Sequence, residues 1–336
     1  MNANNNYRVG VIGGGAWGTA LAILANRAGS AVTLGTRNNN VIQSIAERRT
    51  NDIYLPSVFI DPDIKVTDKI GEVCQNDLLI LAVPSHILRS ACITISDTLS
   101  VEVPVVLAGK GIERGSLMLM SEVAKSILPK NPVGVISGPN FADEAARGLP
   151  TATTIACAEE ALWDLLMYAV GGRLFRPYMT TDIIGTQIGG AVKNVIAIAC
   201  GIALGKNFGE NARAALVTRG FAEIARLTLA KGGKYETLMG LSGLGDLILT
   251  CGSVKSRNLS FGIAIGQGKS KEEILISRGR SATEGVIAAE SVNRLARKFG
   301  LSMPISDAVY RILYENAPVD RIIAELLERP FVDEGS

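Results

Sequence analysis

Three glycines near the amino terminus stand at a spacing that suits a phosphate. Gly13-Gly14-Gly15-Ala16-Trp17-Gly18 satisfies G-x-G-x-x-G, follows the short apolar run Tyr7–Ile12, and opens Ala16–Ala28, which reads as a helix closed by Gly29. In such a turn Gly13 bends the chain tightly, Gly15 lets a pyrophosphate approach the backbone, and Gly18 lets helix and strand pack closely. Ala16 and Trp17 begin the helix, whose unpaired N–H groups and partial positive charge attract phosphates. The implied chemistry is dinucleotide binding. At the end of the next strand, Ala31–Leu34, an NAD site would carry an acid for the ribose hydroxyls. The chain instead reads Leu34-Gly35-Thr36-Arg37. Arg37 suits a 2′-phosphate, or is an ordinary surface arginine opening a loop, so NADP(H) is the favoured cofactor and NAD(H) the alternative.

Lys193 lies in the nearly uncharged stretch Ile188–Leu204, between Val192 and Val195 and beside Asn194. Burial lowers a lysine's pKa toward the range useful to an acid/base group, but a lysine in an apolar helix also commonly snorkels to water. His86, the one histidine, is the rival acid/base; its place after Val83-Pro84-Ser85, at a strand end, better suits a wall of the cofactor cleft. Lys110, between Gly109 and Gly111, could stabilise an alkoxide-like oxygen, or is a plain loop lysine. Ser256-Arg257-Asn258 offers a hydroxyl, a forked guanidinium and an amide at a helix start, a donor set for a phosphate. The same triplet also simply opens helices.

These residues need elements to hold them. Asp77–Val83, Val103–Leu107 and Gly134–Ile136 read as further strands, each ending at Gly, Pro or Ser, and they alternate with helical patterns. That alternation predicts a parallel sheet whose carboxyl edge binds ligands. Beyond residue 185 helices take over: Gly189–Leu204, Ala212–Ala230, Lys271–Ile276, Thr283–Phe299 and Val319–Leu327. The expected fold is α/β: an N-terminal Rossmann-type doubly wound sheet over residues 1–185, then an all-helical C-terminal domain over 186–336. Lys+Arg 34 against Asp+Glu 32 leaves +2 in 336 residues with no charged run, which gives no reason to expect nucleic acid as a partner. One histidine and five scattered cysteines exclude a multi-His metal cage and fit reduced thiols, so no metal is expected and the cytoplasm is the expected compartment. Met1–Asn6 lacks a signal-peptide layout. Ile183–Gly205 is the most lipid-like stretch, but a mid-span Lys193 is costly in a bilayer, so no membrane insertion is expected.

Taken together, Val83-Pro84-Ser85-His86, Gly109-Lys110-Gly111-Ile112, Gly138-Pro139-Asn140-Phe141-Ala142, Lys193-Asn194, Gly243-Leu244-Gly245-Asp246-Leu247 and Ser256-Arg257-Asn258 resemble, in order and interval, bacterial-type NAD(P)-dependent glycerol-3-phosphate dehydrogenase. The resemblance spans nearly the whole chain. It implies interconversion of sn-glycerol 3-phosphate and dihydroxyacetone phosphate, a small phosphorylated substrate, with Lys193 as the proton donor/acceptor and a product feeding phospholipid synthesis. It also implies that Lys110, Gly138, Asn140, Lys193, Asp246, Ser256, Arg257 and Asn258 bind substrate, with Asp246 on the hydroxyls and pairing with Lys193. Lys110, Ala142, Arg257, Ala282 and Glu284 fall at its cofactor positions. Asn140 departs from the family's usual Ser or Thr, although an amide still donates and accepts. Glu284 by itself is an acid in a first helical turn. The apolar helix faces permit a homodimer. Two rivals stay open: another NADP-dependent hydroxyacid or keto-acid reductase of the same architecture, and a non-catalytic dinucleotide sensor.

Overall fold

The computed structural model describes residues 7–278 and 283–330. Successive strand residues point to opposite sheet faces, and here both faces are buried. In β1 (Arg8–Ile12) and β4 (Leu78–Leu81), Val9, Val11, Leu78 and Ile80 join one apolar cluster, whereas Ile12, Leu79 and Leu81 join another. In β5 (Val105–Leu107), Val106 faces the first cluster, and Val105 and Leu107 face the second. A sheet buried on both sides needs helices on both, which parallel crossovers supply. Helices α1 (Ala16–Arg27), α2 (Asn39–Arg48), α6 (Ala142–Arg147) and α7 (Trp163–Val170) feed the first cluster, and α3 (Ile70–Cys74), α4 (Ser85–Ser96) and α5 (Met120–Ile127) the second.

With β2 (Ala31–Gly35), β3 (Lys65–Thr67), β6 (Val133–Ser137), β7 (Thr151–Cys157) and β8 (Phe175–Thr180), the sheet runs β3-β2-β1-β4-β5-β6-β7-β8. The order reverses at β1, whose neighbours are β2 and β4. Such a switch point opens a crevice at the strands' carboxyl ends. The strand patterning does not announce β3, β7 or β8. β3 has only three residues, and β7 is rich in Thr and Ala and lies antiparallel to β6, so the sheet is not wholly parallel. β8 carries Pro177, which an edge strand tolerates.

Contacts group the chain into two compact units, Met1–Gly190 with Lys231–Asp246, and Ala191–Ala230 with Leu247–Ser336. The first unit regains the chain at α10 (Tyr235–Leu238) and at a π-helical turn, Leu241–Gly245, that leads into α11 (Asp246–Gly252). The described part of the second unit is helical. It contains the later part of α8 (Ile183–Gly205), α9 (Gly209–Lys231), α11 beyond its first residue, α12 (Arg257–Gly266), α13 (Lys271–Ser277), α14 (Glu284–Lys298), α15 (Pro304–Tyr314) and α16 (Val319–Leu327). α8 is long and apolar enough to cross a membrane by length and composition, but 89% of its most apolar window is buried inside the protein, as befits a core helix. All five cysteines are free and buried.

Close helix packing in this unit depends on missing side chains. A Cβ on Gly201 of α8 would lie 2.2 Å from the Leu259 carbonyl oxygen, and one on Gly262 of α12 would lie 2.1 Å from that of Ile198. Gly205 and Gly266 meet the facing backbone in the same way, each at 2.4 Å. Two G-x-x-x-G faces therefore cross with their backbones in contact. Elsewhere Glu223 of α9, which is buried, accepts from the Ile305 and Ser306 N–H groups at 2.6 and 3.0 Å and from Ser306 Oγ at 2.7 Å, securing the first turn of α15. Burial pushes its carboxyl above the ordinary glutamate range, against the lowering effect of those bonds. Because the α8–α12 clash would be with backbone, Gly262→Ala is expected to cost about 3 kcal/mol of stability, the upper part of the usual overpacking range. Urea unfolding of Gly262→Ala beside Gly71→Ala, a helical position in α3 whose Cβ would meet only Thr98 at 3.9 Å, measures the steric part.

Candidate active site

The glycine turn leaves β1 at the switch point. Gly13 has φ +124° and its absent Cβ would sit 2.3 Å from the Ala82 carbonyl; that of Gly18 would sit 1.9 Å from the Gly13 carbonyl. Neither position admits a side chain. Gly15 differs: it holds the N-cap position of α1, makes no side-chain cap, and a Cβ there would meet nothing within 4 Å. Ala16 and Trp17 follow as the first helical residues. Uncapped N–H groups over open space are what a pyrophosphate requires, so the turn fits a dinucleotide. Arg37 is exposed just beyond β2, before Asn38, whose side chain caps α2 by accepting from the Asn40 N–H at 3.1 Å. His86 is exposed on the first turn of α4, and Ala142 is the first residue of α6.

Also in the first unit, Lys110 Nζ donates to Asp246 Oδ2 at 2.6 Å and to the Gly138 carbonyl at 3.4 Å. The Asp246 side chain is 2% exposed and that of Lys110 18%. Sequence offers Asp246 no basic neighbour; the fold brings one from 136 positions away. A Cβ on Gly190 would press within 2.9 Å of Ser137 Oγ, while meeting the Lys110 stem at an ordinary 3.5 Å. Asn140 donates its Nδ2 to the Ala152 carbonyl at 2.8 Å, while its Oδ1 is buried with no hydrogen-bond partner among the described residues. A buried acceptor without a donor is costly unless a ligand supplies one.

In the second unit Lys193 lies mid-helix on α8, 6% exposed, and its Nζ donates to Thr250 Oγ1 at 2.8 Å. It is enclosed and does not snorkel. Next to it Asn194 accepts from Asn258 Nδ2 at 2.8 Å and donates to Glu284 at 3.4 Å, and Asn258 Oδ1 accepts from the Gly285 N–H at 2.9 Å. The Asn258 amide, read from sequence as a phosphate donor, thus ties α8, α12 and α14 together and keeps one N–H beyond those bonds. Ser256 caps α12, accepting from the Leu259 N–H at 3.2 Å, and Arg257 is exposed on the first turn. Ala282 lies outside the described residues.

Two residues here escape a reading by motif. Thr250 comes one helical turn after Asp246, and only that spacing hinted at it. Arg278 donates to the Arg257 carbonyl and to Ser260 Oγ, both at 3.0 Å, and lies over the Phe261 ring at 5.6 Å. Burial, then the Arg257 charge, lowers its pKa from the ordinary arginine value. Two guanidinium groups thus stand close at the start of α12, which favours an anion there. The Cys251 thiol, beside Thr250, is pushed well up by its contact with Cys200 and by burial, so it stays protonated.

A doubly wound sheet with a glycine turn at its switch point and a buried helix lysine suits a nicotinamide-nucleotide oxidoreductase. Residues 8–163 match the NAD-dependent glycerol-3-phosphate dehydrogenase N-terminus, and residues 182–324 match its C-terminus. The chain belongs to this family. It is 48% identical to a glycerol-3-phosphate dehydrogenase (NAD(P)+) of Parvibaculum lavamentivorans over 97% of this chain and 98% of that one, and 48% identical to one of Caulobacter vibrioides over 98% and 99%. The crystal structure of glycerol-3-phosphate dehydrogenase from Coxiella burnetii superposes with a TM-score of 0.92 at 37% identity, covering 96% of this chain and 99% of that one.

Lys110 and Asp246 yield a stability test. Removing Lys110 takes one donor from the buried Asp246 carboxylate, at a cost of about 1–3 kcal/mol. Lys110→Met should lose roughly that much in urea unfolding, and adding Asp246→Asn should recover most of it. A double variant no more stable than Lys110→Met would show that the ion pair is not what Lys110 contributes.

Proposed function

We propose that this enzyme reversibly reduces dihydroxyacetone phosphate to sn-glycerol 3-phosphate, with Lys193 moving the proton at the C2 oxygen. The observation that carries the reading is Lys193 itself: a lysine enclosed in an apolar helix, hydrogen-bonded to the neutral Thr250 hydroxyl, in a chain of this family. When bound, the nicotinamide cofactor supplies or takes the hydride. A lysine held at this position can give its proton to the oxygen that gains charge as hydride arrives, the direction reduction requires. Thr250 and Asn194 hold that helix face in register. Lys110 and Asp246 bind the substrate hydroxyl end with Gly138, and the unpaired Asn140 Oδ1 accepts a hydrogen from it. Arg257, the Ser256 hydroxyl and the remaining Asn258 N–H bind the phosphate.

The glycine turn, with Gly13, Gly15, Ala16, Trp17 and Gly18, binds the cofactor pyrophosphate. Lys110, Ala142, Arg257, Ala282 and Glu284 complete the cofactor set carried over from the family, and His86, by its place at a strand end, walls the cofactor cleft. Arg37 favours NADP(H) through its fit to a 2′-phosphate. The enzyme acts in the cytoplasm as a homodimer and provides glycerol phosphate for phospholipid synthesis.

Cofactor oxidation with dihydroxyacetone phosphate, followed by absorbance, tests this. Wild type should consume the cofactor, and Lys193→Ala should be slower by roughly 100-fold or more, as loss of an acid/base group predicts. Arg37→Ala should raise KM for NADPH about tenfold, the worth of one charge-assisted bond, and leave NADH nearly unchanged. Turnover with a hydroxyacid or keto acid and none with the triose phosphate would overturn the substrate. Binding without any turnover would make the chain a sensor.

A further inference from the structure

A 16-residue loop, residues 49–64, separates α2 from β3, and one of its side chains reaches back to the glycine turn. Asn51 is fully buried. Its Nδ2 donates to the Gly14 carbonyl at 2.9 Å and to Thr19 Oγ1 at 2.8 Å, and its Oδ1 accepts from the Tyr54 N–H at 3.3 Å. Both amide hydrogens and the oxygen are therefore engaged. The loop does not need Asn51 to stay seated. Leu55, Val58, Ile60 and Ile64 are already in the apolar cluster, and the Ile60 N–H closes the loop on the Arg49 carbonyl at 2.8 Å.

The Gly14 carbonyl belongs to the peptide whose N–H is that of Gly15. A trans peptide points its C=O and N–H in opposite directions. Drawing the Gly14 oxygen inward to a buried amide therefore turns the Gly15 N–H outward, and that N–H donates to no protein acceptor among the described residues. Two adjacent glycines have the lowest barrier against rotating this peptide, so without a clamp the turn would sample the flipped orientation.

We infer that Asn51 is a positioning residue for dinucleotide binding, clamping the Gly14–Gly15 peptide so that the Gly15 N–H faces the cofactor pyrophosphate. The inference rests on the dinucleotide reading of the turn. Asn51 touches no ligand; it acts through the peptide. Asn51→Asp keeps the shape but sets a carboxylate oxygen against the Gly14 carbonyl and favours the flip. Thr19→Val removes the other acceptor of the same amide and leaves the clamp on Gly14 intact.

The test is titration calorimetry with ADP-ribose, which carries the pyrophosphate without redox activity, on wild type, Asn51→Asp and Thr19→Val. Thermal unfolding of each variant accompanies it. Asn51→Asp should weaken ADP-ribose about tenfold or more, the loss of one hydrogen bond to a charged group. Thr19→Val should bind like wild type even where its unfolding temperature falls as far. In turnover, Asn51→Asp should raise KM for the cofactor while KM for the triose phosphate at saturating cofactor stays within about twofold. Equal ADP-ribose affinity in wild type and Asn51→Asp, or parallel losses in both variants, would reduce Asn51 to a structural residue. No ADP-ribose binding by wild type would remove the dinucleotide reading and the inference with it.

Discussion

The contact of bare backbones where α8 crosses α12 is the constraint on which the helical second unit of this molecule depends. Gly201 and Gly205 face Gly262 and Gly266 with no Cβ between the helices. At that separation the side chains nearer the start of each helix, about two turns before Gly201 on α8 and about one turn before Gly262 on α12, meet directly, which is how Asn194 reaches Asn258. A wider crossing would pull that bond apart. It would also move the Ser256 cap and Arg257 away from the helix that carries Lys193. Glycine costs a helix about 1 kcal/mol each relative to alanine, so four of them at one crossing mark a geometry that packing alone would not select.

Polar groups inside this fold are tied in small sets. Asn194, Asn258, Glu284 and the Gly285 N–H form one, Glu223 with the first turn of α15 another, and Lys110 with Asp246 a third. Sets of this kind hold side chains still, because a partner that moved would forfeit hydrogen bonds inside the protein. Asn140 Oδ1 and the Gly15 N–H stand outside any such set, and a ligand can satisfy both. The protein thus separates groups that support from groups that bind.

Much of this was legible in sequence because local rules governed it. The glycine turn, α1 and the early strands follow from spacing and apolar runs, and the later helices from their periodicity. What escaped was set by partners far away in the chain. β8 carries a proline that reads against a strand until the edge position is known, and β7 has a single branched apolar residue, Ile155, among Thr and Ala. Lys110 finds Asp246 across 136 positions, and nothing local distinguishes Asn51 from any loop asparagine. Asn258 carries a role that the sequence did not show: besides standing as a donor at a helix start, its amide ties α8, α12 and α14 together. Function, in turn, was legible from the ordered set of loop motifs more than from any one of them.

The central claim is that Lys193 moves the proton, and chemical rescue tests it most directly. Lys193→Ala leaves a space the size of the lost side chain, into which small primary amines can diffuse. With dihydroxyacetone phosphate and saturating cofactor, the account predicts that amines such as methylamine and ethylamine restore turnover in proportion to concentration, with a rate that varies with amine pKa as general acid catalysis requires. An Lys193→Ala enzyme that keeps wild-type turnover, or one that binds both ligands with wild-type affinity yet gains nothing from any amine, would contradict it.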